Sequence, residues 1–330
     1  MAIPLIIVNP ASAGGATGEG WARAASEVRA HFGAFSCAFT EKPGDGRLIA
    51  AREACAGRRF IIACGGDGTI SEVACGILES GADAELGILS GGTGGDFRRT
   101  LDIPTRIADA AALLRDGRTV RIDAGRVSYL NHAGVSESRH FVNVASCGMG
   151  GEVIRRVSEA DKGSLVVRGA TSLSGRASYA LASARAALSY KKPRLRLSLD
   201  DKPERQIIVT NLCVANARYF GGGMKIAPDA VLTDGLFDVV AVGDMDALKI
   251  FTNAYKLYLG THLDMAQVSH TRARRINARA ADGCEKVLLE VDGELVGTLP
   301  AAFDVLPGAL RVRCASGAIH PVRASFAREV

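Results

Sequence analysis

The sequence predicts an α/β N-terminal domain built on a parallel sheet, followed by a mainly antiparallel β domain. Three observations carry this reading. Short apolar runs alternate with amphipathic helical patterns through residues 1–125, the signature of a sheet covered by helices. Beyond Thr119 the pattern changes to apolar residues alternating with charged ones, as in half-exposed strands. A length of 330 residues exceeds one ordinary core and fits two domains. The expected division is an α/β domain at 1–125, a β-rich domain at 126–300, and a C-terminal segment at 301–330 packing back on the first domain.

The elements follow in order. Residues 4–8 read as a buried strand and 19–32 as a helix with Trp21, Ala25 and Val28 on one side. Residues 35–40 form a second strand, 47–56 a helix and 60–63 a third strand. Residues 70–79 place Ile70, Val73, Ala74 and Ile77 on one helical face. A strand at 86–89 and a helix at 106–115 complete the first domain. In the second, strands are expected from 120, at 141–147, 195–199, 207–215, 237–242, 275–279, 287–291 and 309–314. Helices are expected at 152–158, 176–190 and 247–259, and the tail beyond Phe326 reads as frayed.

Composition narrows the class. The chain is 48% apolar and 23% charged, as in soluble globular proteins, and its 38 glycines show no repeat period. A net charge of +5 suits anionic substrates or an anionic membrane surface. An aromatic content of 5% argues weakly against stacking recognition of single-stranded nucleic acid, and no nucleic-acid partner is expected. None of the 8 cysteines forms a Cys-x-x-Cys pair, and buried thiols in a reducing cytosol are expected. The opening MAIPLIIVNP reads as a strand rather than a secretory segment, since its apolar run is short and no basic residue precedes Arg23. The expectation is a cytoplasmic protein that, if it meets lipid, does so from the surface of the inner membrane face, with a homodimer left open.

The glycine-rich loops NPASAGG, GGDGT and GGTGGDF all fall where strands give way to helices, the place where such folds hold ligands. No Walker lysine, dinucleotide fingerprint, zinc-helix or protein-kinase motif is present. In GGDGT, Gly65, Gly66 and Gly68 let backbone N–H groups approach an anion, and the following helix points its positive end there. A bare phosphate cradle would not want a carboxylate, so Asp67 makes sense with a divalent cation bridging to phosphate. Thr69 and Glu72 have capping-box spacing. A capped strand-to-helix turn explains these five residues equally well. GGTGGDF repeats the arrangement one strand later, with Thr93 offering a hydroxyl and Asp96 able to hold the loop or a metal-bound water. In EVDGEL, Asp292 and Glu294 would share one face of an extended strand, although Asp-Gly alone is more often a hairpin turn.

Together these segments resemble the diacylglycerol kinase catalytic-domain family, which includes soluble bacterial lipid kinases and the sphingosine and ceramide kinases. The matching stretches are NPASAG, GGDGTISEV, GTGGDF, FVNVASCGMGGEV, VANARYFGGGMKIAPDAVLTDGLFDVV, VDGE and VLPGALRV, in the family's order over nearly the whole chain. GGDGT alone is also similar to NAD kinases and phosphofructokinases, whose N-terminal fold is of the same kind. The resemblance implies ATP and Mg²⁺, with ATP in the cleft between two domains. It implies Asn9, Ser12, Thr40, Gly65, Gly66, Asp67, Gly68, Thr69, Glu72 and Thr93 at the nucleotide, and Glu294 as general base beside Asp292. A structural Mg²⁺ would map to the Asp234 side chain and the carbonyls of Val231 and Leu236. Three positions depart from the family pattern: Ser90 stands for its proline, Gly95 for its asparagine, and Ala13 for a common glycine.

The expected reaction is transfer of the ATP γ-phosphate to a lipid hydroxyl, diacylglycerol-like or sphingoid-like, with the lipid in a groove of the β domain. Arg155-Arg156, Lys191-Lys192 and the basic stretch 272–279 are candidate headgroup contacts, or simply a solvated face. A soluble-metabolite kinase of NAD-kinase type and a non-catalytic nucleotide or lipid sensor remain as alternatives.

Overall fold

The computed structural model describes residues 3–91, 95–163, 190–281 and 286–315. Strands β1 (Leu5–Val8), β2 (Ser36–Phe39), β3 (Phe60–Gly65) and β4 (Glu85–Ser90) form a parallel sheet in the order β2–β1–β3–β4. The runs LIIV and FIIACG are almost wholly buried, because helices cover both faces of the sheet. Those helices are α1 (Ala16–Glu19), α2 (Trp21–His31), α3 (Asp45–Cys55), α4 (Asp67–Ser80), α5 (Asp96–Thr100) and α6 (Ile107–Asp116). Ile6, Ile62 and Ile88 pack with Val73 and Ile77 of α4 and Leu114 of α6 in one core.

Two details differ from the sequence expectation. Helix α4 begins at Asp67 rather than residue 70, because extended Gly66 serves as its N-cap and Asp67 occupies the first turn, where a carboxylate is favoured. Helix α5 was not expected, since a five-residue helix is too short to show a period.

The second part contains β5 (Arg118–Asn131), β6 (Ser136–Phe141), β7 (Val144–Gly148), α7 (Met149–Gly163), β8 (Arg194–Leu199), β9 (Arg205–Ile208), β10 (Asn211–Ala215), β11 (Phe237–Val242), α8 (Ala247–Leu259), β12 (Val268–Ala273), β13 (Arg275–Ala280), β14 (Leu288–Val291) and β15 (Glu294–Cys314). Their pairings with one another are antiparallel. Phe141 stacks on Phe237 at 5.5 Å in the core of this part.

The single strand expected at 141–147 is two. The chain breaks at Val142 and Asn143, whose N–H groups bond to Asp292 instead of to a neighbouring strand. The strand expected at 207–215 also divides: β9 pairs with β8, while β10 pairs with β7 and β11. Strand β12 was missed because its sequence, VSHTRA, is largely polar; His270 and Thr271 are nevertheless buried. The helix expected at 176–190 lies outside the described residues except for Tyr190, which is not helical. Thr93, Cys284 and the tail beyond Phe326 also lie outside them. The cysteines are not uniformly buried: Cys37 and Cys55 are exposed.

Strand β15 joins the two parts. Its first half pairs with β14, β13 and β5, and its far end, expected as a separate strand at 309–314, lies parallel to β4 at Arg311 and Val312. Arg313 there meets both oxygens of buried Glu85 at 2.6 and 2.8 Å. One continuous sheet results, in the order β12–β11–β10–β7–β14–β15–β4–β3–β1–β2.

Candidate active site

Three loops meet at the edge where β1, β3 and β4 end. Val8 is in register with Cys64, and Gly65 with Ser90, so Asn9, Gly66 and Gly91 leave the sheet side by side. Their contacts fasten them together. Asn9 donates from Nδ2 to Thr69 Oγ1 (3.0 Å) and accepts from the Ala11 N–H. Ser12 donates to Thr17 Oγ1 (2.7 Å), and Thr17 donates to the Gly91 carbonyl (2.8 Å). Asn9, Ser12 and Thr69 thus hold one another's loops. Thr40, buried at the end of β2, bonds through its N–H to the Val8 carbonyl.

The GGDGT turn is tight. A Cβ at Gly65 would collide with the Thr69 side chain, whereas at exposed Gly68 it would meet only open space. The capping box does not form. Thr69 lies inside the helix, and Glu72 turns away to accept from the Gly44 and Gly46 N–H groups (2.8 and 2.9 Å) at the start of α3. Those donors would otherwise be orphans of the α3 N-terminus.

Asp67 accepts from the Phe97 N–H (3.2 Å), tying GGDGT to the neighbouring loop. Asp96 is buried; it pairs with Arg99 (2.7 Å) and accepts from the Gly222 N–H (2.7 Å) of the second part. Burial, foremost, and the charge of Asp67 push its carboxyl up, against the Gly222 N–H and Arg99. Two carboxylates therefore crowd the mouth of the loops. Asp96 is already paired with Arg99, which leaves Asp67 as the carboxylate that could hold a divalent cation, with phosphate and water supplying the other ligands, as is usual for Mg²⁺. Gly95 adopts φ 66° at the N-cap of α5. Asparagine is the commonest non-glycine residue tolerated there, so glycine keeps the backbone shape and loses only the amide. Ala13, by contrast, sits at φ 54°, a region costly for alanine.

The VDGE segment is a hairpin turn, not an extended strand. Asp292 and Gly293 take φ 48° and 87° between β14 and β15, with Val291 opposite Glu294. The two carboxylates consequently diverge. Asp292 is turned inward and accepts from Ser71 Oγ (2.7 Å) and from the N–H groups of Val142, Asn143 and Val144 (3.0–3.1 Å). Burial pushes its carboxyl up, and the Ser71 and backbone donors pull it down. Glu294 stays half-exposed and pairs with Arg139 of β6 at 2.8 Å. The Ser71 bond places the hairpin against α4, one turn beyond Asp67.

Ser71, Arg139 and the Asp96–Gly222 tie were not foreseen as site contacts. Ser71 was visible within GGDGTISEV, at helical spacing from Asp67; no motif marks Arg139.

The DG turn holds its own cation. Asp234 accepts from the Leu236 N–H (3.0 Å), and Arg272 lies 3.7 Å from Asp234 and 3.5 Å from buried Asp238. His270 meets Asp238 at 2.6 Å. The guanidinium thus lies between the carboxylates of Asp234 and Asp238, where a cation expected at Val231, Asp234 and Leu236 would compete with it. Nor do the expected basic patches stand open: Arg155 and Arg156 pair with Glu152, Lys192 with Asp244, Arg275 with Asp304 and Arg279 with Glu204.

The comparisons agree with this layout. Residues 4–127 match the diacylglycerol kinase catalytic domain, and residues 158–314 match the YegS C-terminal NAD kinase beta sandwich-like domain. A Mycobacterium tuberculosis protein named diacylglycerol kinase is 33% identical over 273 residues, covering 81% of each chain. The chain belongs to the diacylglycerol kinase family. Membership makes it one of a family of phosphotransferases with an alcohol group as acceptor. A Staphylococcus saprophyticus diacylglycerol kinase is 30% identical, covering 80% of this chain and 79% of its own. A crystal structure from Bacillus anthracis superposes with a TM-score of 0.74 at 24% identity, covering 96% of both chains. A second from that organism, titled a diacylglycerol kinase, gives 0.68 at 21%, covering 96% and 98%. These two speak to the fold.

Proposed function

We propose that this chain transfers the γ-phosphoryl group of ATP to the hydroxyl of a lipid, diacylglycerol-like or sphingoid-like. The observation that carries the reading is the Ser71–Asp292 hydrogen bond of 2.7 Å. It fastens the hairpin bearing Glu294 to the helix that begins at Asp67. A candidate phosphate-binding turn and a half-exposed carboxylate from another part of the chain are thereby tied to one helix.

Positioning and charge neutralisation do most of the work in phosphoryl transfer. The N–H groups of the Gly66–Gly68 turn, at the positive end of α4, hold the phosphates. Asn9, Ser12 and Thr69 keep the adjoining loops in register. A Mg²⁺ at Asp67 would neutralise charge developing on the phosphates. Glu294 takes the acceptor's proton, with Arg139 fixing its orientation. Asp292, saturated by four donors, is a positioning residue rather than a second base.

Glu294→Gln is expected to lower turnover on lipid by about 10²–10⁴-fold while ATP affinity, read by calorimetry, stays unchanged. Unchanged turnover would overturn the assignment of the base. Thin-layer chromatography of labelled product over diacylglycerol, phosphatidylglycerol, sphingoid and ceramide acceptors identifies the substrate. Label that remains wholly in the aqueous phase would refute the lipid acceptor.

A further inference from the structure

Helix α8 turns an apolar face outward. None of its residues is buried, and Leu248, Phe251, Tyr255, Tyr258 and Leu259 are 45–73% exposed. At 100° per residue these five fall within an arc of about 100°. Half-buried Ile250 and Leu257 lie on the opposite side, toward the protein. Amphipathic helices normally turn the apolar stripe inward; here a second one faces solvent.

The composition of that face selects its occupant. Lys249 and Lys256 line one edge of the arc, and the helix sequence ALKIFTNAYKLYL contains no acidic residue. Aromatic and leucine side chains flanked by lysines suit the boundary between headgroups and acyl chains, with the lysines reaching anionic phosphates. A helix of 13 residues is about 20 Å long, enough to lie in that plane and too short to cross. A second copy fits less well: two such faces meeting would set lysines beside lysines with no carboxylate on either helix.

We propose that α8 is the element by which this protein docks on an anionic bilayer surface. The choice of a bilayer over a second copy rests in part on the lipid-kinase reading above. The helix is also coupled to the candidate site. The Leu257 carbonyl accepts from the Lys225 N–H (2.7 Å), and the same short segment carries Gly222, whose N–H bonds to Asp96. Docking therefore holds the glycine turn that bonds Asp96 near the membrane plane.

The test is sedimentation of the full chain with phosphatidylglycerol–phosphatidylcholine vesicles and with phosphatidylcholine alone. Wild type is expected to sediment with the anionic vesicles and to be released by salt. The triple variant Leu248→Ser/Tyr255→Ser/Leu259→Ser should lose roughly tenfold or more in apparent affinity, with its melting temperature unchanged, because the replaced side chains are exposed. Lys249→Gln/Lys256→Gln should abolish the preference for anionic vesicles. Wild-type binding by the triple variant would overturn the proposal. So would a dimer-to-monomer change in light scattering without loss of vesicle binding, which would give the face to a second copy. A parallel assay on a short-chain diacylglycerol dispersed as monomers separates the two readings: the triple variant should phosphorylate it as wild type does. Helix-dependent sedimentation without phosphorylation of any lipid would leave docking standing and remove the lipid-kinase reading.

Discussion

At the scale of single residues, Glu290 shows what burial does to a carboxyl the proposed chemistry leaves aside. It lies under the hairpin, accepts from Ser146 (2.7 Å), and is pushed up to about 7 by burial, with Asp292 adding and Ser146 and Gly293 opposing. A folded value above the unfolded 4.5 means that the native state holds the extra proton between those two values. Stability from this group is complete below about pH 4.5 and falls as pH rises through 7, by roughly 3 kcal/mol in all. Glu290→Gln should remove that dependence. Urea denaturation across pH is expected to show the variant gaining on wild type between pH 4.5 and 7 and holding a constant lead above. No such trend was visible in the sequence, where Glu290 is merely the residue before VDGE. Asp292 teaches the complementary lesson: the motif was legible, but its direction was not. Two positive φ angles turn side chains that an extended strand would align, and only tertiary donors reveal which carboxylate is turned inward.

At the scale of elements, apolar period was a sound guide wherever a helix or strand is long and buried. The parallel strands and the helices α3, α4, α6 and α8 were legible to within a few residues. Failures fall where the reason for structure lies elsewhere in the chain. Strand β12 is polar because His270 serves Asp238, and the break between β6 and β7 exists to serve Asp292. Helix pairing depends on contacts of the same kind. A Cβ at Gly76 of α4 would collide with the Arg47 carbonyl and crowd Ala50 of α3. Gly76→Ala is expected to destabilise by about 1–3 kcal/mol in urea melts, despite the roughly 1 kcal/mol that alanine gains in an isolated helix.

At the scale of the whole molecule, the two-part division read from the sequence describes composition more than mechanics, because β15 belongs to both parts. Pairing between strands far apart in sequence cannot be read from local period, and β15 meets β4 across more than 200 residues. The expected result is a single cooperative unfolding transition. Trp21, the chain's only tryptophan, packs edge-on to Phe35 and Phe39 in the first part and reports on that part alone. Its fluorescence and the far-UV circular dichroism of the entire chain should give the same urea midpoint. Two separated midpoints would show that the parts unfold independently.

Asp123 gives this joint a mechanical character. Its buried carboxylate accepts from the Gly308 N–H (2.8 Å), at the irregularity in β15 between Leu306 and Leu310, and from the Gly235 N–H (2.7 Å) of the DG turn. The irregularity is where a long strand would flex most easily, and the carboxylate acts as a rivet through it. The two parts of the chain are therefore joined by one stiffened spar rather than a hinge. On the proposed function, the spacing between the Glu294 hairpin and the Asp67 turn is set by that frame.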